Sequence, residues 1–580
     1  MDLVGSWERN NAYYCLEGMN TMFPFSVRVK GGEEQARSVL KVPRVKGLGR
    51  RGKRVSPVGQ ANEIVTFEAR RPEGMEVLEE YDLGRIDEVL SQLRVVVGRV
   101  GGKGFYLVDE PHLTEEEKGV LSQLLSMVYI SMPLPLGEVS EDNPEEESEL
   151  PTFKRGIVAD YLRRVAEELE VSSITGESQR KFLYYILREM SFSFITPLLL
   201  DPSLEEVECT GWNNPVSVVH RRYTQYLRLE TNVKFRSERE LRTFVERISE
   251  LSGRSVSLAN PIQNFMIRGG HRVAVTYGNE ISSPGSTFDI RKHPREPFTI
   301  VDLFRSGMLS VDLAVYLWLL MEAKKFVMIL GPTGSGKTTL LNGLLMLLNP
   351  NAKYLTIEDT PELKLPHQYW VRLFSRPAFF SGTKEVGMDE LVKLALRYRP
   401  DYVVVGEVRG TEIANMVQAV ATGHGGVTTF HGSSMNDLFT RILGLLEKDV
   451  AKEFTSLLSC VVIVNRIVNP KDRSQVRRVL EVYENSPDGM TSVFRWDPLT
   501  DTFSARDGRE AREAIVSSRQ VGESLRLLGW SHDLLSVELE ARREILGHLV
   551  SGNVWEYGKI AEVLRAYYNS SGAARLLKGG

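Results

Sequence analysis

The amino-acid sequence predicts an α/β protein whose largest domain is built on a doubly wound, mainly parallel sheet. Residues 301–500 alternate apolar strand-like runs with helical runs, the pattern that a parallel sheet with helices on both faces requires. One apolar run, 326–330, leads through a glycine-rich loop into a helical run, and two others, 354–357 and 401–405, are followed by acidic residues. Because the carboxyl ends of parallel strands share one edge of a sheet, these features predict a single crevice there.

A small α/β domain is expected before this core, at residues 61–132. It combines strand-like alternation with a helix whose start is marked by the capping box Thr114 and Glu117. A Pro- and Glu-rich stretch at 133–151 has the composition of a solvated acidic linker. Residues 1–60 carry a basic run without a regular apolar pattern, so we expect a flexible extension.

A second N-terminal α/β domain is expected at residues 152–300, immediately before the core. It reads as two helices, strands, a further helix and more strands, with Gly269 and Gly270 forming a tight hairpin turn. After the core, residues 501–580 become mainly helical and predict a C-terminal helical region.

Composition and charge restrict the class of protein. A chain of 580 residues with 42% hydrophobic and 26% charged residues suits an ordinary globular protein of several domains. The net charge of −4 argues against a broadly basic nucleic-acid coat, so no stable nucleic-acid partner is expected. The three cysteines are far apart, and charged residues interrupt the longest apolar stretch, 313–330. We therefore expect a cytoplasmic protein.

The glycine-rich loop fits the phosphate-loop pattern G-x-x-x-x-G-K-[ST] in the strand–loop–helix context that the pattern requires. Glycines allow consecutive backbone N–H groups to face a phosphate at a helix N-terminus. Lys337 is expected to reach the β- and γ-phosphates, and the Thr338 hydroxyl to bind Mg²⁺. The sequence thus predicts a site for a nucleoside triphosphate. Its expected binding residues are Gly331, Pro332, Thr333, Gly334, Ser335, Gly336, Lys337, Thr338 and Thr339.

Acidic residues at two strand ends are candidates for the chemistry. Glu358 follows the run at 354–357, and Glu407 follows the run at 401–405. A magnesium–triphosphate site needs carboxylates that hold the metal and one that orients or deprotonates the attacking water. Thr338, Glu358 and Glu407 are therefore the predicted metal-binding residues, and either glutamate can be the general base.

Two histidines stand in the Gly- and Thr-rich segment at 422–431. His424 and His431 lie seven residues apart, without a neighbouring cysteine, so a zinc site is not favoured. The glycines suggest a close approach of the backbone, and we expect these histidines to sense the γ-phosphate by hydrogen bonding.

Taken together, these motifs resemble those of the secretion-superfamily ATPases, the hexameric motors of type II secretion, type IV pili and the archaeal swimming filament. The resemblance covers roughly residues 80 to 500. It implies a RecA-like core, ATP and Mg²⁺ as cofactors, a homo-hexamer, and a polytopic membrane platform protein as partner at the cytoplasmic membrane. The four boxes of that family occur in order, at residues 331–338, 356–362, 406–409 and 422–431.

The resemblance also implies roles for three arginines. Arg272 and Arg291 match positions of the second, PAS-like N-terminal domain that reach the phosphates, and Arg397 matches a core arginine that faces the nucleotide. Two positions depart from the family pattern. Lys393 stands where an arginine is frequent, and Gly432 replaces the usual alanine after His431.

Several functions share these boxes. The favoured hypothesis is an ATPase motor for filament assembly or secretion, in which ATP binds between the N-terminal and core domains and a hinge near 294–297 changes their angle. A conjugation-type traffic ATPase and a nucleic-acid translocase are alternatives with the same core. A scaffold that binds nucleotide without hydrolysis is a third class, which Lys337, Glu358 and Glu407 disfavour.

Overall fold

The computed structural model describes residues 64–85, 90, 92–131, 158–159, 162, 176–294, 296–376, 385–469, 474–506 and 508–577. The predicted basic extension and the predicted acidic linker lie outside the described residues, as does most of the first helix expected after that linker.

The N-terminal region contains a nine-stranded sheet with the order β1-β2-β3-β6-β5-β4-β9-β8-β7. Its neighbouring strands are antiparallel except for the parallel pair β3–β6. The strands are β1 (Glu76–Asp82), β2 (Arg94–Val100), β3 (Lys103–Asp109), β4 (Leu204–Cys209), β5 (Pro215–His220), β6 (Leu229–Lys234), β7 (Ile262–Ile267), β8 (His271–Thr276) and β9 (Thr287–Arg291). The helices are α1 (Glu115–Ser131), α2 (Gly176–Met190), α3 (Thr196–Leu200) and α4 (Glu238–Glu250).

The two domains expected before the core share this sheet and one hydrophobic core. The strand pair β3–β6 joins them, and a buried ion pair links Arg188 on α2 to Glu110 after β3, with Nη1 and Oε1 2.8 Å apart. The division between residues 61–132 and 152–300 is therefore not a break in the sheet. The hairpin expected at Gly269 and Gly270 connects β7 to β8, and both glycines have positive φ angles of 84° and 73°.

The core sheet also has nine strands, in the order β12-β11-β13-β14-β10-β15-β16-β17-β18. The six strands β12, β11, β13, β14, β10 and β15 are parallel to their neighbours, which confirms the predicted mainly parallel sheet. The remaining pairs, β15–β16, β16–β17 and β17–β18, are antiparallel. The strands are β10 (Phe326–Gly331), β11 (Tyr354–Glu358), β12 (Trp370–Phe374), β13 (Tyr402–Val408), β14 (Gly425–His431), β15 (Leu458–Val468), β16 (Gln475–Ser486), β17 (Gly489–Asp497) and β18 (Thr502–Ala505).

Helices cover both faces of the core sheet, as a doubly wound sheet requires. Successive residues of a strand point to opposite faces, so Met328 and Ile329 of β10 belong to different hydrophobic clusters. The helices are α5 (Ile300–Arg305), α6 (Val311–Glu322), α7 (Lys337–Met346), α8 (Met388–Tyr398), α9 (Glu412–Ala421), α10 (Met435–Leu445), α11 (Lys448–Leu457), α12 (Ala511–Ser517), α13 (Arg519–Leu528), α14 (His532–Ser551) and α15 (Tyr557–Leu577).

The C-terminal helices confirm the predicted helical region and pack against the core. Arg542 on α14 is fully buried, forms an ion pair with Glu322 at the end of α6, and lies 4.4 Å from the centre of the Trp318 ring. Tyr568 on α15 accepts a hydrogen bond from Trp318 Nε1 at 2.8 Å and donates one to the carbonyl of Leu347, just after α7. The C-terminal helices thus support the helix that follows the glycine-rich loop.

No helix in the part of the chain that the structure describes is long and apolar enough to cross a bilayer. The segment between β9 and α5, residues 292–299, contains no helix or strand among its described residues. This is the connection where the sequence predicts the hinge.

Candidate nucleotide-binding site

The glycine-rich loop lies between β10 and α7 at the carboxyl edge of the core sheet. Gly334 and Gly336 have positive φ angles of 74° and 92°, in a region that residues with a side chain rarely adopt. A Cβ atom on Gly331 would lie 2.4 Å from the carbonyl oxygen of Val464 and 2.5 Å from Ser335 Oγ. Gly336 is also the residue before the first turn of α7, so the helix N-terminus opens onto the loop.

Lys337 is buried inside this loop. Its Nζ donates hydrogen bonds to the carbonyl oxygens of Gly331 at 2.9 Å and Pro332 at 3.2 Å. It also lies 3.4 Å from Oε1 of Glu407. Burial lowers the pKa of Lys337, and the charge of Glu407 opposes that shift. The structure therefore brings the predicted lysine and one predicted glutamate into direct contact.

A β-bulge places Glu407 beside the loop. Val405 pairs with Thr428 and Val408 pairs with Phe430, so β13 contains one extra residue at this point. Burial raises the pKa of Glu407, but the hydrogen bond from Arg409 and the charge of Lys337 outweigh it, and the net pKa is below the ordinary value. Glu407 thus carries a stable negative charge.

Glu358 has the opposite electrostatic character. Its side chain is 3% exposed, and Oε1 accepts backbone N–H groups of Glu362 and Leu363, both at 2.9 Å. Its Oε2 has no hydrogen-bond partner among the described residues. Burial raises the pKa of Glu358 to about 7, although the two backbone hydrogen bonds favour the charged form. This carboxyl group can therefore bind and release a proton near neutral pH.

The residues present fit a phosphate chain with a divalent cation. A cleft of about 1430 Å³ is lined by the loop, by Thr338 and Thr339 at the start of α7, and by Glu358 and Glu407. Positive φ angles at two glycines, a buried lysine and a helix N-terminus are the features that bind phosphate. The unpartnered Oε2 of Glu358 and the charged Glu407 are suitable oxygen donors for Mg²⁺ or its bound water.

The N-terminal sheet contributes the opposite wall of the cleft. Arg272 on β8 and Arg291 on β9 are directly paired in the strand register, and both line the cleft. The structure thus brings two predicted arginines from the N-terminal region to the side facing Lys337. Fixed positive charges on this wall suit phosphate oxygens.

His431 joins the site, whereas His424 does not. His431 ends β14, lines the cleft, and its Nδ1 lies 3.4 Å from Thr333 Oγ1 of the loop. His424 precedes β14, and its Nδ1 contacts the carbonyl oxygen of Ala419 and the Thr422 hydroxyl. The two histidines stand at the two ends of β14, roughly 20 Å apart, so they lie at opposite edges of the sheet.

Arg397 also lies away from the crevice of this chain. Helix α8 begins beside the cleft, where Met388 is part of the lining, and its last turn leads to Tyr402 at the start of β13. Arg397 is exposed in that last turn, towards the edge opposite the glycine-rich loop. Within one chain, the structure does not bring Arg397 to the nucleotide site.

Sequence reasoning missed several charged residues of the site. Arg409 donates a hydrogen bond from Nε to Glu407 at 2.8 Å and lies 3.6 Å from Asp359. Arg409 and Asp359 belong to two of the four boxes, but the sequence did not reveal their contact. Arg221 and Arg477 line the cleft without a motif around them. The position of Arg409, two residues after Glu407, was a signal in the sequence for the contact between them. Arg477 lies far along the chain from the loop, and no local pattern marks it.

Hydrogen bonds from α7 and α15 hold the loop after β11 in place. Asn342 on α7 donates to the carbonyl of Glu362 at 3.1 Å and accepts from the backbone N–H of Lys364 at 3.0 Å. The Tyr557 hydroxyl on α15 donates to the carbonyl of Lys364 at 2.9 Å. Because the same loop supplies the two N–H groups that hold Glu358, these contacts position that carboxyl group.

The fold and the site define a phosphate-loop protein of the α/β class, and comparison with known proteins gives the family. The model of the type II/IV secretion system protein family matches residues 192–525, and the chain belongs to this family. An uncharacterized protein of Methanocaldococcus jannaschii is 31% identical and aligns over 82% of this chain and 86% of its own length.

Two further proteins are also similar to this chain. The type IV secretion system protein VirB11 of Bartonella henselae is 27% identical over 44% of this chain and 79% of its own length. Among solved structures, the ATPase DotB of Legionella pneumophila is 19% identical, with a TM-score of 0.38, and is matched over 58% of this chain and 92% of its own.

Proposed function

We propose that this protein is a Mg²⁺-dependent ATPase that converts ATP and water to ADP and phosphate. The observation that supports it best is the geometry beside the glycine-rich loop, where buried Lys337 lies 3.4 Å from Glu407 and the unpartnered Oε2 of Glu358 belongs to the same cleft. A charged carboxylate and a carboxyl group that titrates near pH 7 are the two groups that water-mediated phosphoryl transfer needs. Family membership supports the same conclusion.

Each residue has a distinct role in this proposal. Lys337 leaves its loop carbonyls to bind the β- and γ-phosphates, and the Thr338 hydroxyl and Glu407 hold the cation or its water shell. Glu358 accepts the proton of the attacking water at its unpartnered Oε2. Mg²⁺, when bound, supplies positive charge to the phosphate oxygens. His431 and Thr333 lie where the end of the phosphate chain is expected.

The arginine wall suggests how hydrolysis is coupled to motion. Arg272 and Arg291 belong to the N-terminal sheet, whereas Lys337 and both glutamates belong to the core sheet. Phosphate contacts made from both sides favour a closed cleft, and loss of the γ-phosphate removes part of them. The connection at 292–299 is the segment about which such opening occurs.

We further propose that the chain works as a homo-hexameric motor for assembly of a type IV pilus-like or archaellum-like filament, or for type II secretion. Its partner is then a polytopic membrane platform protein, which holds the motor at the cytoplasmic face of the membrane. Exposed Arg397 and half-buried His424 are remote from the cleft of their own chain, and in such a ring they can contact a neighbouring subunit. A conjugation-type traffic ATPase is the second candidate, favoured by the similarity to VirB11 of Bartonella henselae.

Phosphate release from ATP by the full-length chain tests the enzymatic proposal. We expect release that requires Mg²⁺, and Glu407→Gln is expected to bind ATP but to lose turnover, because the charge that holds the cation is gone. Undiminished release by Glu407→Gln would remove that residue from catalysis. Stimulation by single-stranded DNA would favour the nucleic-acid translocase, whereas co-purification with a polytopic membrane protein encoded beside prepilin-like subunits would support the filament motor.

A further inference from the structure

Arg477 joins the glycine-rich loop to the N-terminal sheet. It lies near the start of β16, and its Nε donates a hydrogen bond to the carbonyl of Gly334 at 2.9 Å. Its Nη2 donates to Oε1 of Glu205 at 3.1 Å, and Glu205 lies in β4 of the N-terminal sheet. One guanidinium group therefore contacts both walls of the cleft.

The aliphatic part of Arg477 also packs on the loop. A Cβ atom on Gly336 would lie 3.1 Å from Arg477 Cδ, so the Arg477 side chain packs against the glycine that precedes α7. The start of β16 also contacts the loop between β5 and β6, because the Thr224 hydroxyl donates to the carbonyl of Gln475 and accepts its N–H, both at 3.1 Å. Arg477 is thus held in place at a loop that binds phosphate.

Glu205 is a negative charge with three arginines around it in the cleft. It lines the cleft together with Arg221, Arg291 and Arg477. Burial raises the pKa of Glu205, but Arg477, Arg221 and Arg291 outweigh it and hold the pKa below its ordinary value. Arg221 shows the complementary effect, since burial lowers its pKa and Glu205 opposes that shift. The side chains of Arg477 and Glu205 are 35% and 22% exposed, so solvent screens their attraction only in part.

We propose that Glu205 is a built-in competitor of the nucleotide phosphates for Arg477. The carboxylate of Glu205 satisfies the guanidinium in the nucleotide-free chain, and phosphate oxygens entering the loop take its place. This inference rests on the proposed function, because it concerns the same nucleotide site. Arg477 is then a phosphate-binding residue supplied by the same chain, and nucleotide entry loosens the ion pair that joins the loop to the N-terminal sheet.

Glu205→Gln is the direct test, measured by equilibrium binding to the full-length chain. Removing a negative charge from the wall is expected to tighten binding of ADP and of inorganic pyrophosphate on the order of tenfold. Binding of adenosine, which carries no phosphate, is expected to be unchanged. The matched control is Glu76→Gln, which breaks an exposed ion pair with Arg99 at the far edge of the same sheet and is expected to leave all three affinities unchanged.

A double variant tests the mechanism. If Glu205 acts through Arg477, the gain from Glu205→Gln is expected to shrink to about twofold or less when Arg477→Gln is also present. Binding by Glu205→Gln that is equal to or weaker than that of the unaltered chain would overturn the inference. A full gain that persists in the double variant would also overturn it, since Arg477 would then play no part. If the unaltered chain binds neither ADP nor pyrophosphate, the proposed function itself fails, and this inference with it.

Discussion

Replacing either glutamate of the site by glutamine is expected to change the stability of the fold in opposite directions. Glu358→Gln resembles the protonated carboxyl group that burial favours, and its Oε1 can still accept the N–H groups of Glu362 and Leu363. Glu407→Gln instead removes a charge that Arg409 and Lys337 stabilise. At pH 8 we therefore expect Glu358→Gln to stabilise the folded chain and Glu407→Gln to destabilise it.

The magnitude for Glu358 follows from its pKa. Burial raises the pKa from the ordinary value of 4.5 to about 7, and each unit corresponds to about 1.4 kcal/mol, so keeping Glu358 charged at pH 8 costs on the order of 3 kcal/mol. Between pH 4.5 and about 7, the folded chain binds a proton that the unfolded chain has released. Stability contributed by this group is therefore present below pH 4.5 and is lost as the pH rises through about 7.

Urea unfolding at pH 5 and pH 8, followed by tryptophan fluorescence, measures the effect at Glu358, and the same measurement below pH 4.5 measures the loss of the effect at Glu407. The advantage of Glu358→Gln over the unaltered chain is expected to be large at pH 8 and small at pH 5. For Glu407, whose folded pKa lies below the ordinary value, the loss of stability in Glu407→Gln is expected to persist at pH 8 and to diminish as the pH falls below the ordinary pKa of a glutamate. A Glu358→Gln chain that is less stable than the unaltered chain at pH 8 would refute the electrostatic assignment of the two carboxylates.

Three further predictions concern the loop and its support. Turnover at saturating ATP is expected to rise with pH through about 7 if Glu358 accepts the proton, and a profile that stays flat from pH 6 to pH 8 would contradict that role. Gly336→Ala forces a side chain onto a φ of 92° and against Arg477, so we expect a loss of about 1–2 kcal/mol in urea unfolding and weaker ADP binding in a titration. Tyr557→Phe removes the hydrogen bond to the Lys364 carbonyl and is expected to lower turnover while leaving the Kd for ADP unchanged; equal loss of both would indicate general destabilisation.

Local sequence patterns predict which residues of the core sheet line the cleft around the glycine-rich loop. The loop from Gly331 to Thr338, its strand and its helix are one continuous stretch, and the rule that parallel strands end at one edge placed Glu358 and Glu407 beside it. The opposite pKa shifts of these two glutamates were not predictable, because they depend on burial and on the partners Arg409 and Lys337.

Contacts between distant segments were beyond sequence reasoning. Arg477 donates a hydrogen bond to Gly334, which lies 143 residues earlier in the chain. It also contacts Glu205, which belongs to the N-terminal sheet. The separation of His424 from His431 follows from strand geometry, since a seven-residue strand places its two ends far apart. A motif that contains both residues therefore does not imply that both reach the same ligand.

The relative affinities of Arg291→Gln for ATP and ADP test whether the two sheets enclose one phosphate chain. Arg291 belongs to the N-terminal sheet but lines the same cleft as Lys337, Glu358 and Glu407. With a non-hydrolysable ATP analogue, the unaltered chain is expected to bind the triphosphate more tightly than ADP, and Arg291→Gln is expected to lose most of that difference. If the variant keeps the full preference for the triphosphate, the two sheets do not enclose one phosphate chain.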